Sequence, residues 1–167
     1  MKSTIYWIPD ESADRLGIMA RPRGGDWLGD EIKAWLDAGA HTVVSLLEPA
    51  EVAELGLEAE RSFCLKSGLD FISFAIPDRG IPEGRSEMVH LIRRVRSAII
   101  SGNRVAIHCR QGIGRSSMVA AMVLLSLGAS EDNVFYTISA ARGCKVPDTE
   151  EQVRYALSFQ FEEFGSW

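Results

Sequence analysis

The feature that most constrains how this chain folds is a short apolar run leading through a glycine loop into an apolar helix. The run V-A-I-H-C spans residues 105–109, the loop R-Q-G-I-G spans 110–114, and the next segment is apolar almost all round to Leu127. Such a run is typical of a strand buried on both faces, and a helix that is apolar on every side must itself be buried. The pair predicts a layered core with 105–108 as its central strand.

Elsewhere the sequence alternates strand-like runs with helical stripes. Strands are predicted at 5–8, 18–20, 42–47 and 71–75, and helices at 26–39, 49–68 with an interruption near Gly56, 86–101, 130–143 and 149–164. Asp26, Ser130 and Thr149 are the predicted caps of three of these helices. We expect an α/β fold, a mostly parallel sheet of about five strands with helices on both faces, as a single domain over residues 1–167.

Composition narrows the classes of function. The 167 residues are 46% hydrophobic with a net charge of −5, and this acidic balance argues against a general nucleic-acid binder, whose footprint is basic. The first residues lack the apolar stretch of a signal peptide, and the longest apolar run, 118–127, is too short to span a bilayer. Three cysteines without close spacing do not make a disulfide framework. We therefore expect a cytoplasmic monomer with no nucleic-acid partner and no membrane insertion.

The cysteine loop has the chemistry of an anion site that holds a nucleophile. Gly112 and Gly114 allow the backbone to curl so that its N–H groups converge, and the start of the next helix adds unpaired N–H groups. Arg115 supplies a planar fork that matches two oxygens of a phosphate. The same donors stabilise a thiolate at Cys109, which would attack the phosphate that they bind. A lone cysteine is more often a small core residue, but the glycines, Arg115 and Ser116 favour a nucleophile here.

Other glycine-rich sites fit the loop less well. A Walker loop needs a lysine before its serine or threonine, and a dinucleotide loop needs a third glycine where this chain has Ser117. Zinc sites need clustered ligands, whereas His108 and Cys109 are adjacent and Cys144 stands alone. We predict no metal and no cofactor, because Arg115 and the loop amides already balance the charge of a phosphate.

The segment HCRQGIGRS at 108–116 matches H-C-x5-R-[ST], the signature of protein tyrosine and dual-specificity phosphatases. The chain resembles the compact branch of that family, similar to kinase-associated phosphatase and its bacterial relatives. The segments PRGGDWL, GAHTVVSLLE and FAIPDRGIP precede the cysteine loop in the order seen there, so the resemblance covers roughly residues 15 to 165. Rhodanese-like loops have another spacing between cysteine and arginine, and low-molecular-weight tyrosine phosphatases carry the loop near the N-terminus.

The resemblance implies a mechanism and assigns residues to it. Cys109 attacks phosphorus, Asp78 protonates the leaving oxygen and then takes a proton from water, and Ser116 eases departure of the thiolate. The residues expected to bind the phosphate are Arg110, Gln111, Gly112, Ile113, Gly114 and Arg115.

Several other residues are weaker candidates for the site, and each could instead have a purely structural role. His108 is expected to hold the loop through hydrogen bonds. Gln152 resembles a glutamine that positions water, but T-E-E-Q at 149–152 also reads as a capping box, which we favour. Arg142 resembles a recurrent family arginine near the site, or is a cation at a helix end. The side chains of Arg79 and Arg110 line the pocket rim or are solvated.

The sequence favours a protein phosphatase that acts on phosphotyrosine, with phosphoserine and phosphothreonine as further substrates, through a phosphocysteine intermediate. Two alternatives stay open. One is a phosphate-binding interaction module without turnover, and the other is a phosphoinositide or nucleotide phosphatase on the same scaffold. Cys64 or Cys144 could also capture an oxidised Cys109 as a disulfide.

Overall fold

A computed structural model of the chain describes residues 2–10 and 14–165. Within these residues the strands are β1 (Tyr6–Trp7), β2 (Leu16–Ala20), β3 (Thr42–Ser45), β4 (Asp70–Ser73) and β5 (Val105–Cys109). The α-helices are α1 (Leu28–Asp37), α2 (Pro49–Glu54), α3 (Glu60–Lys66), α4 (Arg85–Ile100), α5 (Arg115–Ser126), α6 (Val134–Arg142) and α7 (Glu150–Leu157). Short 3-10 helices occupy Gly25–Trp27 and Phe161–Phe164.

The strands form one sheet in the order β1-β2-β5-β3-β4. Only β1 runs antiparallel to its neighbour among these strands; β2, β5, β3 and β4 are parallel. The register pairs Ala20 with Cys109 and Ser45 with His108, so the carboxyl ends of β2, β3 and β5 meet at one edge. The predicted mostly parallel sheet of about five strands, with β5 at its centre, is confirmed.

Each face of the sheet carries its own apolar core, because the side chains of a strand alternate between the two faces. One core joins Ile107 and Cys109 of β5 to α4, α5 and the C-terminal helices. The other joins Ala106 to α1 and α3. Helix α5 is buried along almost its whole length, as its apolar composition predicts. None of the helices in the described part of the chain is long and apolar enough to cross a bilayer.

Several sequence expectations differ from the structure in where helices begin and end. The helix predicted over 149–164 ends at Leu157, before the separate 3-10 helix Phe161–Phe164. The helix predicted over 49–68 is split into α2 and α3, because Gly56 has a φ of +64° and the backbone turns there. Asp26 does not cap α1, since it lies inside the 3-10 turn that precedes Leu28. Ser130 does not cap α6 either: it begins a turn, and Asn133 stands at the N-cap position.

Candidate active site

Strand β5 and helix α5 place Cys109 at the carboxyl end of the central strand, where a five-residue loop separates it from Arg115. The Cys109 side chain is almost fully buried and lines a small cleft of about 80 Å³. The residues lining this cleft are Asp78, Arg79, Cys109, Arg110, Gln111, Gly114, Arg115 and Asp148. The structure thus brings the thiol, the arginine and the aspartate predicted from the sequence to one cleft.

The loop at 110–114, here called the phosphate loop, is held in its curl from two sides. Gly112 has a φ of +67°, and a Cβ there would meet the backbone of Met19 and Ala20 at the end of β2. Arg142, in the last turn of α6, donates from Nε to the Gly112 carbonyl at 2.9 Å and from Nη2 to the Gln111 carbonyl at 3.1 Å. Because each peptide unit is planar and trans, the N–H groups that follow these carbonyls face away from Arg142.

Arg115 is buried and its guanidinium is fixed by a carboxylate from another element. Its Nη1 donates to Glu51 Oε2 at 2.7 Å and its Nη2 donates to Glu51 Oε1 at 2.9 Å, a bidentate pair. Nη1 also donates to the Ile76 carbonyl at 3.0 Å. Glu51 lies in the first turn of α2, where its carboxylate also accepts from the Glu48 N–H at 2.9 Å. This network fixes the plane of the fork before any substrate arrives.

The ion pair changes the acidity of both partners. Burial opposes the charge of Arg115, but the hydrogen bonds to Glu51 and the negative charges of Cys109, Glu51 and Asp78 raise the pKa of the guanidinium above its ordinary value. Burial likewise opposes ionisation of Glu51, yet the Arg115 and Glu48 hydrogen bonds and the nearby guanidinium charges hold the pKa of that carboxyl below 4.5. Both groups are therefore charged at neutral pH.

Asp78 lies on the loop that follows β4, at the mouth of the cleft. Its Oδ1 accepts from Arg115 Nη2 at 3.0 Å, and its side chain is 53% exposed. The chain turns there, with the Gly80 N–H donating to the Pro77 carbonyl at 2.9 Å and Arg79 at a φ of +57°. Asp78 thus presents an exposed carboxyl, hydrogen-bonded to Arg115, in the same cleft that Cys109 lines.

Ser116 stands in the first turn of α5, immediately after Arg115. Its Oγ lies 3.4 Å from Cys109 Sγ, and the serine is fully buried. The hydroxyl is therefore within reach to donate a hydrogen bond to a thiolate on Cys109.

His108 does not hold the phosphate loop with its side chain, contrary to the expectation from the sequence. Residues 108 and 109 alternate across β5, so the imidazole lies on the opposite face of the sheet from the thiol. There its Nε2 lies 2.7 Å from Oε1 of the buried Glu60 of α3. His108 links β5 to α3, and only its backbone continues into the site.

Gln152 has both ends of its side chain engaged. Its Oε1 accepts from the Thr149 N–H, and the Thr149 hydroxyl accepts from the Gln152 N–H, so the predicted capping box of α7 is present. Its Nε2 donates to the Gly80 carbonyl at 3.2 Å. Gln152 therefore ties α7 to the loop that carries Asp78, in addition to capping the helix.

The Arg110 side chain points to the rim. It donates to Glu54 at 2.8 and 3.3 Å, and these hydrogen bonds, with the paired charges, raise the pKa of Arg110 and lower that of Glu54. Arg110 therefore contributes its backbone to the phosphate loop, while its side chain forms an ion pair with Glu54 at the rim.

Sequence reasoning missed Glu51, Glu60 and Asp148. Glu51 reaches Arg115 from α2, and Glu60 pairs with His108 on the face of the sheet opposite the thiol. Both belong to helices distant in the sequence, so no local pattern identifies them. Asp148 could have been noticed, since it lies just before the Thr149 cap in a segment expected near the site. Among the described residues no group of three His, Cys, Asp or Glu side chains could hold a metal ion.

Comparisons with known proteins agree with this geometry. Residues 17–129 match the family model Tc-R-P, described as the DSP-PTPase phosphatase of polymorphic toxin systems. Protein tyrosine phosphatase domain-containing protein 1 of Mus musculus is 28% identical over an alignment of 130 residues, which covers 71% of this chain and 16% of that protein. The chain thus spans less than a fifth of the length of this curated relative.

Solved structures share the fold. Kinase-associated phosphatase, with its catalytic-site cysteine replaced by serine, superposes with a TM-score of 0.86 at 18% identity, covering 100% of this chain and 99% of that one. PTPMT1 in complex with PI(5)P superposes with a TM-score of 0.71 at 17% identity, covering 89% of this chain and 91% of that one. At these identities the likeness establishes the fold.

Proposed function

The chain belongs to the Tc-R-P family of DSP-PTPase phosphatases, and from this premise we propose that it hydrolyses phosphate monoesters on protein side chains through a phosphocysteine. The observation that carries the proposal is that one cleft is lined by Cys109, residues of the phosphate loop, Arg115 and Asp78. A nucleophile, an oxyanion clamp and a proton donor are the three parts that transfer of a phosphoryl group to a thiolate requires.

In the first step the loop amides and the Arg115 fork hold the phosphate oxygens. The Cys109 thiolate attacks phosphorus, the S–P bond forms, and the ester P–O bond breaks on the opposite side. Asp78 gives its proton to the departing oxygen, which leaves as an alcohol or a phenol. Asp78 acts only on the leaving oxygen, so its contribution to the rate grows with the basicity of the leaving group.

In the second step water attacks the phosphocysteine. The P–O bond forms, the P–S bond breaks and Cys109 leaves as a thiolate, to which the nearby Ser116 hydroxyl donates a hydrogen bond. The Asp78 carboxylate takes a proton from the water and is ready for another turnover. All of these groups belong to the protein, and no step needs a metal.

Phosphorylated proteins are the proposed substrates, with phosphotyrosine as well as phosphoserine and phosphothreonine esters. The family supports this class. The small cleft of about 80 Å³ supports a phosphate monoester as the group that enters it. We also propose that residues 1–167 act as one phosphatase domain, because both apolar cores pack on the two faces of one sheet.

The test compares wild type with Cys109→Ser on an aryl phosphate and on phosphopeptides, with Cys144→Ser as the matched control. We expect Cys109→Ser to lose turnover while still binding phosphopeptide, and Cys144→Ser to keep turnover. EDTA should leave activity intact, and vanadate should inhibit as a transition-state mimic. Turnover by Cys109→Ser would contradict the mechanism.

A parallel panel of phosphoinositides and nucleotides tests the substrate class. Faster hydrolysis of either class than of phosphopeptides would replace the proposed substrate. Tight binding of phosphopeptides without hydrolysis by the wild type would identify an interaction module instead.

A further inference from the structure

Asp148 lies at the cleft without being part of the mechanism described above. It precedes the Thr149 cap of α7 and lines the same cleft as Cys109. Its carboxylate reaches the phosphate loop, because a Cβ built on Gly114 would collide with Asp148 Oδ2. The side chain is exposed and makes no hydrogen bond or ion pair with any residue that the structure describes.

No guanidinium group of the described residues forms an ion pair with the Asp148 carboxylate. Arg115 is matched by Glu51 and Asp78, and Arg110 is matched by Glu54. Arg79 also lines the cleft and has no carboxylate partner among the described residues. Asp148 therefore has no ion-pair partner among the described residues, although Arg79 lines the same cleft.

An unpaired carboxylate beside Gly114 is unfavourable for a site that takes a phosphate dianion. The loop amides and the start of α5 favour the anion, but Asp148 beside Gly114 repels it. A substrate relieves this repulsion if it brings a cation to the exposed carboxylate. An acidic neighbour of the phosphate ester makes the repulsion worse.

We infer that Asp148 is a specificity-determining residue that selects phosphate esters with a cationic group beside them, namely phosphopeptides with lysine or arginine next to the phosphorylated residue. The inference rests on the proposed function. Because the cleft is small, the residues that flank the phosphoamino acid lie at its rim, within reach of the Asp148 carboxylate. The contact is an exposed charge pair, so its effect is modest and screened by salt.

The test uses matched phosphopeptides that differ only in lysine, alanine or glutamate on both sides of the phosphorylated residue. At low ionic strength we expect wild type to prefer the lysine peptide over the glutamate peptide by about tenfold in kcat/KM, about threefold per flanking charge pair. Asp148→Asn should reduce this ratio to about twofold, and Asp148→Glu should keep it. In about 0.5 M salt the wild-type preference should also shrink.

Glu150→Gln is the control, because Glu150 is an exposed carboxylate two residues away that does not line the cleft. A wild type without preference, or an Asp148→Asn variant with an unchanged ratio, would overturn the inference. Hydrolysis of an aryl phosphate by the same preparations separates the two proposals. If that ester is hydrolysed while the peptides are not discriminated, the proposed function stands and the role of Asp148 falls. If neither is hydrolysed, the proposed function itself fails.

Discussion

At the scale of single residues, the central feature is a guanidinium shared by two carboxylates. Glu51 holds both ends of the Arg115 fork, and Asp78 accepts from one of the same nitrogens. A phosphate that accepts from Nη2 of Arg115 must share that nitrogen with Asp78 or displace it. Phosphate binding and the position of the acid are therefore coupled through Arg115, and Glu51 keeps the fork in place during the exchange.

Removing the Glu51 charge should destabilise the protein in a pH-dependent way. Glu51→Gln leaves a buried guanidinium poorly compensated, so we expect the free energy of unfolding to fall by about 3–5 kcal/mol at pH 7. Although burial opposes ionisation, the Arg115 pair holds the pKa of Glu51 below 4.5. The stabilisation by the carboxylate is therefore fully present above pH 4.5 and is lost as the pH falls through the lower pKa of the folded state.

Urea unfolding of wild type and Glu51→Gln at pH 7 and at about pH 3 measures this difference. The gap between the two proteins should narrow at the acid pH. The exposed Glu58→Gln serves as a control and should show little gap at either pH. A gap for Glu51→Gln that widens on acidification would contradict the ion pair as its cause.

The role of Asp78 is tested by leaving groups of graded basicity. Asp78→Asn should slow a phosphotyrosine or phosphoserine peptide by about 100-fold or more, because general acid catalysis typically contributes about 10²–10⁴-fold. An activated aryl phosphate, whose leaving anion is stable without a proton, should lose little. The measurement is the slope of log kcat/KM against leaving-group pKa for both proteins. Equal slowing of every substrate would show that Asp78 acts on binding or structure instead.

At the scale of elements, the phosphate loop follows from local sequence, whereas its supports do not. The strand, the glycines and the following helix are contiguous, so Cys109, Gly112 and Arg115 could be placed together from the sequence. Glu51 is 64 residues from Arg115 and Arg142 is 30 from Gly112. Such contacts depend on how α2 and α6 pack, which no local pattern specifies. The capping box at Thr149 was predictable, but its glutamine also holds Gly80, which was not.

The fit of the phosphate loop against β2 is tested at Gly112. Gly112→Ala combines a positive φ with a collision against the Met19 and Ala20 backbone, so the loop must move. We expect weaker vanadate inhibition, lower kcat/KM and a loss of stability. Gly128→Ala is the matched control, since its φ of +100° is strained but a Cβ there meets nothing within 4 Å. It should cost about 1–2 kcal/mol of stability and leave vanadate inhibition unchanged. Equal vanadate affinity in both variants would contradict a role for this contact.

At the scale of the whole molecule, the sheet separates the face that carries Cys109 from the face that carries Cys64 and the His108–Glu60 pair. Cys109 lies on one face with α4 and α5, while Cys64 and the His108–Glu60 pair lie on the other. Cys64 therefore cannot capture an oxidised Cys109 without unfolding. Burial, with the charge of Glu60, also raises the pKa of Cys64 to about 12, which keeps it a thiol. Cys144 is exposed and follows α6, the helix whose Arg142 holds the phosphate loop. Capture of an oxidised Cys109 by Cys144 stays a hypothesis.

The fold as a whole was more predictable than the site. Alternating strand and helix patterns predicted a parallel sheet with β5 at its centre, because the most apolar strand takes the most buried position. The face on which each side chain of β5 lies depends on the packing of both layers. The alternation of side chains along β5 alone places His108 and Cys109 on opposite faces, whereas the Glu60 partner of His108 depends on how α3 packs there.

The most direct test of the account is to trap the covalent intermediate. Wild type and Cys109→Ser are mixed with a phosphatase substrate carrying labelled phosphate, quenched within the first turnover and mapped by mass spectrometry under conditions that preserve the S–P bond. The account predicts phosphate on the peptide that contains Cys109 in wild type and none in Cys109→Ser. Turnover in wild type with no label on Cys109, or labelling of another residue that persists in Cys109→Ser, would contradict it.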